Sequence, residues 1–304
     1  MSQLLCIPRR LHFSVLPMGQ LEFFCFVSWP APDDETSPAR FAWTIEDEVT
    51  GDRLSGHRAL TKTEQAASHA AVAAVLPAGW GDSRLHAEIR LGQAGYTGEW
   101  PVTLFQQSRV FRLPLVGQVL VLVGHRIGET HRLAVIASQQ FAWDLLPLDN
   151  NGLALLNGAL TESLRAADFY GFGQPVLAPA DGRVVVAVDG FPDSESVGVL
   201  PADRESYVAD LRRAAGNHVV LDHGDGVFSF LAHLRHGSVA VAEGQDVLAG
   251  QTIGALGNSG YSSGPHLHLH FMDGPHLLTA APLPVALAAE GDTFAPQPGN
   301  IIAT

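Results

Sequence analysis

Hydrophobic and polar residues alternate with the two-residue period of β-strands along much of the first third of the chain. Residues 21–29 are aromatic and apolar before a proline-rich acidic loop, which is typical of a buried strand that ends in a turn. Residues 41–45 and 85–91 alternate well enough to form half-buried strands. Short strands at this spacing predict a β-rich, sandwich-like domain over residues 1–108.

An alanine-rich segment, residues 63–76, allows two structures. Alanine favours a helix, whereas the alternation from His69 to Leu76 favours a strand. The local pattern does not choose between them.

Residues 109–304 are predicted to form a second domain that is also mainly β. Its long apolar opening, residues 111–124, predicts one strand, and Asp181-Gly182 predicts a turn between paired strands. Residues 191–215 are more polar, and the part from 202 to 215 predicts a short helical insertion with a solvated charged face.

Three histidines stand at every second position beside a Gly-Pro turn. In a strand, His266, His268 and His270 would project from one side, with apolar residues between them on the other. Neutral imidazole is the commonest protein ligand for zinc, so this row favours a metal site over a strand whose rings are merely solvated.

Asp144 lies between Trp143 and Leu145 in a segment otherwise suited to burial. Burial of an ionised carboxylate without a partner is very costly, so the residue needs a partner. A zinc ion is one such partner, and a salt bridge to Arg126 or Arg132 is the other.

Five further motifs occur in a fixed order. They are Gly-Asn-His-Val-Val-Leu-Asp-His-Gly at 216–224, Phe-Leu-Ala-His-Leu at 230–234, Gly-Gln-Asp-Val at 244–247, Gly-Ala-Leu-Gly-Asn-Ser-Gly at 254–260 and Gly-Pro-His-Leu-His at 264–268. With them the chain resembles the lysostaphin/LytM-type zinc endopeptidases over about residues 110–290. The resemblance implies the antiparallel β fold called the duplicated hybrid motif, bound Zn²⁺ and cleavage of peptide cross-links in bacterial cell walls.

The resemblance also implies a set of site residues. His131, Asp144 and His268 correspond to the metal ligands, and His266 and His233 to the catalytic histidines. His266 would take a proton from the nucleophilic water or orient it, and His233 would stabilise the oxyanion or donate to the leaving amine.

One position departs from the commonest family pattern, His-x-x-x-Asp. Gln140 stands where that histidine is expected, and glutamine is a poor zinc ligand. Either His131, further upstream, completes the ligand set, or the set is broken and the protein does not catalyse. His125 is a weaker substitute for His131.

The net charge of −13 argues against binding to nucleic acid or an anionic membrane through a basic face. No run of 18 apolar residues predicts a transmembrane helix. The start of the chain lacks the pattern of a secretory signal, whereas the resemblance implies the cell envelope or the exterior, so a cytoplasmic location stays open. Cys6 and Cys25 form either a disulfide or two buried thiols.

The sequence therefore predicts a zinc-dependent metalloendopeptidase that hydrolyses peptide bonds in peptidoglycan stems or cross-bridges. The alternative is a catalytically inactive LytM-like module that binds cell-wall peptide or regulates another hydrolase. A third, weaker possibility is that the same fold acts on a small peptide in the cytoplasm.

Overall fold

β-Strands dominate the regular structure of the protein. The computed structural model describes residues 2–7, 11–13, 21–30, 39–77, 79–124, 136–156, 164–201, 203–289 and 292–304. Within these residues the mainly β prediction is confirmed, and the helices are few and short.

The first region contains nine strands and one helix among its described residues. They are β1 (Ser2–Gln3), β2 (Leu5–Ile7), β3 (Leu11–Phe13), β4 (Leu21–Ser28), β5 (Ala39–Asp47), β6 (Arg53–Ala59), α1 (Lys62–Ala67), β7 (His69–Leu76), β8 (Ser83–Leu91) and β9 (Ala94–Leu104). One sheet has the order β1-β9-β8-β5-β6, with β3 also paired to β9, and another has the order β2-β4-β7. Both sheets contribute to one apolar core, as the predicted sandwich requires.

The alanine-rich segment contains both predicted structures in succession. Thr61 and Glu64 form a reciprocal capping box that begins α1, and Ser68 ends the helix in a left-handed conformation with φ of 52°. From His69 the alternating residues pair with β4 and bury every second side chain. Tertiary pairing therefore decides the second half, where local propensity is ambiguous.

Cys6 and Cys25 are buried free thiols in this first core. They come from the paired strands β2 and β4. Burial, together with the neighbouring Cys6 thiol, raises the pKa of the Cys25 thiol well above its ordinary value.

The rest of the chain is built around a second set of strands. They are β10 (Phe111–Arg112), β11 (Gln118–Val123), β12 (Trp143–Leu148), β13 (Pro175–Leu177), β14 (Gly182–Val188), β15 (Asn217–Asp222), β16 (Phe228–Leu234), β17 (Asp246–Val247), β18 (Thr252–Ala255), β19 (Leu267–Met272), β20 (Leu287–Ala289), β21 (Asp292–Phe294) and β22 (Ile301–Ile302). Helices α2 (Arg204–Ala209) and α3 (Leu211–Ala215) lie between β14 and β15. The division into domains 1–108 and 109–304 stays a prediction.

In the described part of this region, an eight-stranded antiparallel sheet has the order β17-β14-β15-β16-β19-β12-β11-β22. One face packs Leu231, Leu269 and Phe271 into a large core, which also includes residues of the small sheets β13-β18 and β10-β20-β21. The alternate positions, such as Phe230 and Met272, pack in a smaller cluster. Because successive side chains alternate, His268 and His270 lie on the face of this smaller cluster.

Two details of the predicted fold are wrong. The apolar segment 111–124 contains two strands, because Pro114 has no N–H to pair and Gly117 turns the chain at φ of +86°. Strands on the two sides of Asp181-Gly182 do not pair with each other, since β13 joins β18 and β14 joins β15 and β17. The predicted helical insertion is confirmed and consists of two short helices, because the Asp210 side chain accepts from the Arg212 and Arg213 backbone N–H groups and starts α3.

None of the helices within the described residues is long and apolar enough to cross a bilayer.

His223 is a buried polar residue of the large core. Its Nδ1–H donates to the Asp181 carbonyl at 2.8 Å, its Nε2 accepts from the Ser229 hydroxyl at 2.8 Å, and its ring packs edge-on against Phe111. Burial lowers the pKa of His223 and outweighs the backbone hydrogen bond to Asp181, which raises it. The ring is therefore held in its neutral form.

We predict that His223 makes folding sensitive to acid. Its lowered pKa means that the unfolded chain, with a pKa of about 6.5, binds the proton more readily, so stability falls as the pH drops below that value. His223→Gln should show a smaller fall in the thermal unfolding midpoint than the parent between about pH 7.5 and 5.5. Circular dichroism at both pH values measures this difference, and equal falls in the two proteins would contradict it.

Candidate active site

The register of two paired strands brings the predicted aspartate to the histidine row. Strand β12 runs antiparallel to β19 with Asp144 directly opposite His268. Asp144 Oδ1 and His268 Nδ1 lie 3.0 Å apart, although 124 residues separate them in sequence. Sheet pairing thus joins two groups that no local pattern links.

His266 approaches the same carboxylate from the residue just before β19. Its Nε2 lies 3.5 Å from Asp144 Oδ1, and its Nδ1 lies 2.8 Å from the Gly264 carbonyl oxygen. Because a carbonyl only accepts, Nδ1 carries the hydrogen and Nε2 is left for exchange with a substrate or a water.

His233 completes the cluster from the end of β16. Its ring centroid is 4.8 Å from that of His266 and 6.0 Å from that of His268. Its Nδ1–H donates to the Ser259 carbonyl at 2.8 Å, so Nε2 is again the atom left for proton transfer. The backbone of His233 has φ of 63°, a left-handed conformation that non-glycine residues seldom adopt and that often marks a functional position.

The loop between β18 and β19 fixes the position of Ser259. The Ser259 hydroxyl accepts from the Asn217 backbone N–H at 3.0 Å and donates to the Leu234 carbonyl at 2.6 Å. The next residue, Gly260, packs against the end of α3. A Cβ added at this position would lie 2.5 Å from the Ala214 carbonyl oxygen. The carbonyl that orients His233 is therefore held by two strands and by the helical insertion.

Burial shapes the electrostatics of this cluster. The Asp144 side chain is 15% exposed and that of His266 is 13% exposed. Burial, with the neighbouring His266 and His268, lowers the pKa of His233 well below its ordinary value. Burial alone would also lower the pKa of His266, but the Asp144 carboxylate beside it raises that pKa overall.

Gln140 is buried in the segment before Asp144. Neither its amide nitrogen nor its amide oxygen has a hydrogen-bond partner among the described residues. A buried amide without partners costs about 1–3 kcal/mol, and no hydrogen bond within the described residues offsets that cost for Gln140.

The structure thus brings together four of the five predicted site residues: Asp144, His233, His266 and His268. The fifth, His131, lies outside the described residues. So do its substitute His125 and the two arginines proposed as salt-bridge partners of Asp144, namely Arg126 and Arg132.

The sequence gives no signal for the groups that hold the rings of His233 and His266. Loop 258–264 supplies them, because its Ser259 and Gly264 carbonyls accept hydrogen bonds from Nδ1 of these two imidazoles. Carbonyls carry no sequence signal, so only their position after a strand and before a Gly-Pro turn hints at this role. His270, the third histidine of the row, is fully buried beside His268.

Part of this cluster has the chemistry of a zinc site. Two ligands of one tetrahedral zinc, each about 2.1 Å from the metal, lie about 3.4 Å apart. The 3.0 Å between Asp144 Oδ1 and His268 Nδ1 is within a few tenths of an ångström of that spacing. Among the described residues, no three His, Cys, Asp or Glu side chains are arranged to hold an ion, so a zinc held by Asp144 and His268 would need a third ligand from outside them.

Comparison with known proteins identifies relatives of this region. The sequence model of peptidase family M23 matches residues 164–278. Lipoprotein NlpD of Yersinia enterocolitica is 30% identical over 99 residues, which are 33% of this chain and 75% of that protein. The catalytic domain of lysostaphin from Staphylococcus simulans aligns at 21% identity with a TM-score of 0.30, over 55% of this chain and 88% of that one.

Two longer relatives have names that refer to function. Peptidoglycan DD-endopeptidase ShyA of Vibrio cholerae is 46% identical over 54 residues, or 18% of this chain and 12% of that protein. Murein hydrolase activator NlpD of Escherichia coli is 33% identical over 99 residues, or 33% of this chain and 19% of that protein. The chain therefore spans less than a fifth of the length of either relative.

We predict that a side chain at Gly216 will destabilise the region around Ser259. An added Cβ would lie 2.6 Å from the Ser259 hydroxyl and carbonyl carbon, whereas the same addition at Gly226 meets nothing within 4 Å. Both glycines have positive φ, of 65° and 72°, so Gly226→Ala is a control for the cost of a side chain at positive φ. Gly216→Ala should cost roughly 1–3 kcal/mol more than Gly226→Ala in thermal unfolding, and equal costs would contradict the contact.

Proposed function

This chain belongs to peptidase family M23, and we propose that it is a zinc-dependent endopeptidase that hydrolyses peptide bonds in peptidoglycan stems or cross-bridges. The observation that carries the proposal is the convergence of Asp144, His266 and His268, with Asp144 Oδ1 3.0 Å from one ring and 3.5 Å from the other. The name of the Vibrio cholerae relative supports the substrate class.

Asp144 and His268 would hold the metal, with His131 as the third ligand. Three protein ligands leave one position open, which is the arrangement of catalytic zinc sites. Bound there, Zn²⁺ would lower the pKa of a water and polarise a carbonyl.

His266 and His233 would move protons without holding the metal. Each ring donates its Nδ1–H to a backbone carbonyl, of Gly264 and Ser259 respectively, and so exchanges protons at Nε2. His266 lies beside Asp144 and is placed to accept a proton from the nucleophilic water. His233, in contact with the His266 ring, would stabilise the oxyanion or donate to the leaving amine.

We predict that the ligands can be identified by metal content. Asp144→Ala, His268→Ala and His131→Ala should each lose most of the bound zinc, because two remaining ligands hold the ion weakly. Gln140→Ala and His125→Ala serve as controls that should keep it. Zinc is measured by mass spectrometry after dialysis, and full zinc in His131→Ala would move the third ligand to another residue.

A second prediction separates catalysis from metal binding. His266→Ala and His233→Ala should keep their zinc yet cleave purified peptidoglycan or stem peptides roughly a hundredfold more slowly or worse, as expected for loss of a positioned acid, base or oxyanion donor. Release of soluble peptide is followed beside the parent. Parental rates in either variant would remove that histidine from the mechanism.

A regulatory function is the second candidate. The Escherichia coli relative is named as an activator of murein hydrolases, and Gln140 departs from the commonest ligand pattern. A parent protein that carries a full complement of zinc but cleaves neither peptidoglycan nor stem peptides would favour this candidate over the enzyme.

A further inference from the structure

His270, a buried histidine with no part in the proposed reaction, contacts the proposed ligand His268 through the ring nitrogen that does not face Asp144. His268 Nε2 lies 3.0 Å from His270 Nδ1, while His268 Nδ1 lies 3.0 Å from Asp144 Oδ1. Three side chains thus form one hydrogen-bonded chain from Asp144 through His268 to His270, and the ring of His270 is fully buried.

The chain of bonds has two self-consistent arrangements. A neutral imidazole carries one N–H, so an Nδ1–H on His268 donates to Asp144 and leaves Nε2 to accept from His270 Nδ1–H. If the hydrogen of His268 is on Nε2, it donates to His270 Nδ1, and His270 must then carry its own hydrogen on Nε2. Only the second arrangement leaves the lone pair of His268 Nδ1 for a metal beside Asp144.

Packing keeps His270 in reach of His268. Phe230, which is opposite His270 on the neighbouring strand β16, stacks on its ring with centroids 4.8 Å apart and an interplanar angle of 27°. His218, on β15, stacks on the same Phe230 ring at 5.2 Å and is bonded to the Gly216 carbonyl at 2.7 Å. The two buried histidines therefore share one packing partner, but the contact with His268 is made by His270.

We infer that His270 is a positioning residue that selects the metal-binding tautomer of His268. The inference rests on the proposed metal site. When a divalent metal binds, both rings move their hydrogen from Nδ1 to Nε2 without any net gain or loss of protons. His270 then accepts the hydrogen bond that holds His268 Nδ1 towards the metal.

The inference can be tested through metal affinity. Zn²⁺ affinity is measured by competition with a chelator for the parent and for His270→Leu, His270→Gln and His218→Leu. Loss of an outer hydrogen-bond partner of a ligand typically costs 10–100-fold in affinity, so His270→Leu should bind zinc roughly that much more weakly. His270→Gln keeps an acceptor and should restore most of the affinity, and His218→Leu disturbs the same stack and should leave the affinity unchanged.

Histidine tautomers provide a readout that packing alone does not change. In ¹⁵N-histidine spectra of the parent, His268 and His270 should show Nδ1–H in the metal-free protein and Nε2–H after zinc saturation. Retention of Nδ1–H on His268 with zinc bound, or parental affinity in His270→Leu, would overturn the inference while leaving the zinc peptidase in place. A parent that binds no zinc would overturn both, and the parent titration alone reveals that case.

Discussion

The antiparallel pairing of β12 with β19 is the constraint on which the site depends. It places Asp144 opposite His268, and the flanking Trp143 and Leu145, which are fully buried, pair with Leu269 and Leu267 of the same core. A slip of one residue would turn Asp144 to the other face of the sheet and expose these apolar side chains, so burial of the core enforces the register. Burial of the Asp144 carboxylate costs free energy, and the packing of the core offsets that cost. The same packing therefore holds the carboxylate beside the imidazoles.

The backbone orients the rings of His233 and His266. Carbonyl groups of Ser259 and Gly264 accept from Nδ1 of His233 and His266, and the loop that supplies them is attached to strands β15 and β16 through the Ser259 hydroxyl. Backbone acceptors have no rotamers to order, so both rings keep one tautomer and one orientation at low entropic cost. The helical insertion contributes here as well, because Tyr261 of the loop donates its backbone N–H to the Ala214 carbonyl at 2.8 Å. The insertion is thus part of the scaffold of the site.

The two faces of the eight-stranded sheet differ in polarity. One face is apolar and packs against the small sheets, and it supplies most of the burial that stabilises this region. The other face carries His268, His270 and His218 with Phe230 stacked between strands, and these buried imidazoles are kept by hydrogen bonds and ring contacts. This desolvated polar layer stabilises the orientation of His268, since an imidazole held by two partners cannot rotate without losing both bonds.

The sequence by itself determined whatever depends on local periodicity and chemistry. Alternation predicted the strands and put His266, His268 and His270 on one side, the cost of burying Asp144 indicated a nearby partner, and ordered motifs indicated the family. Tertiary structure alone decided which groups meet. The pairing of Asp144 with His268 depends on strand register. The hydrogen bond from His233 to Ser259 depends on a backbone carbonyl, a group that every residue possesses. Long-range pairing also determined that residues 69–76 form a strand. Alternation has a range of a few residues, whereas register and backbone contacts are set by the packing of the whole sheet, so the sequence predicts the components of the site and the fold determines their contacts.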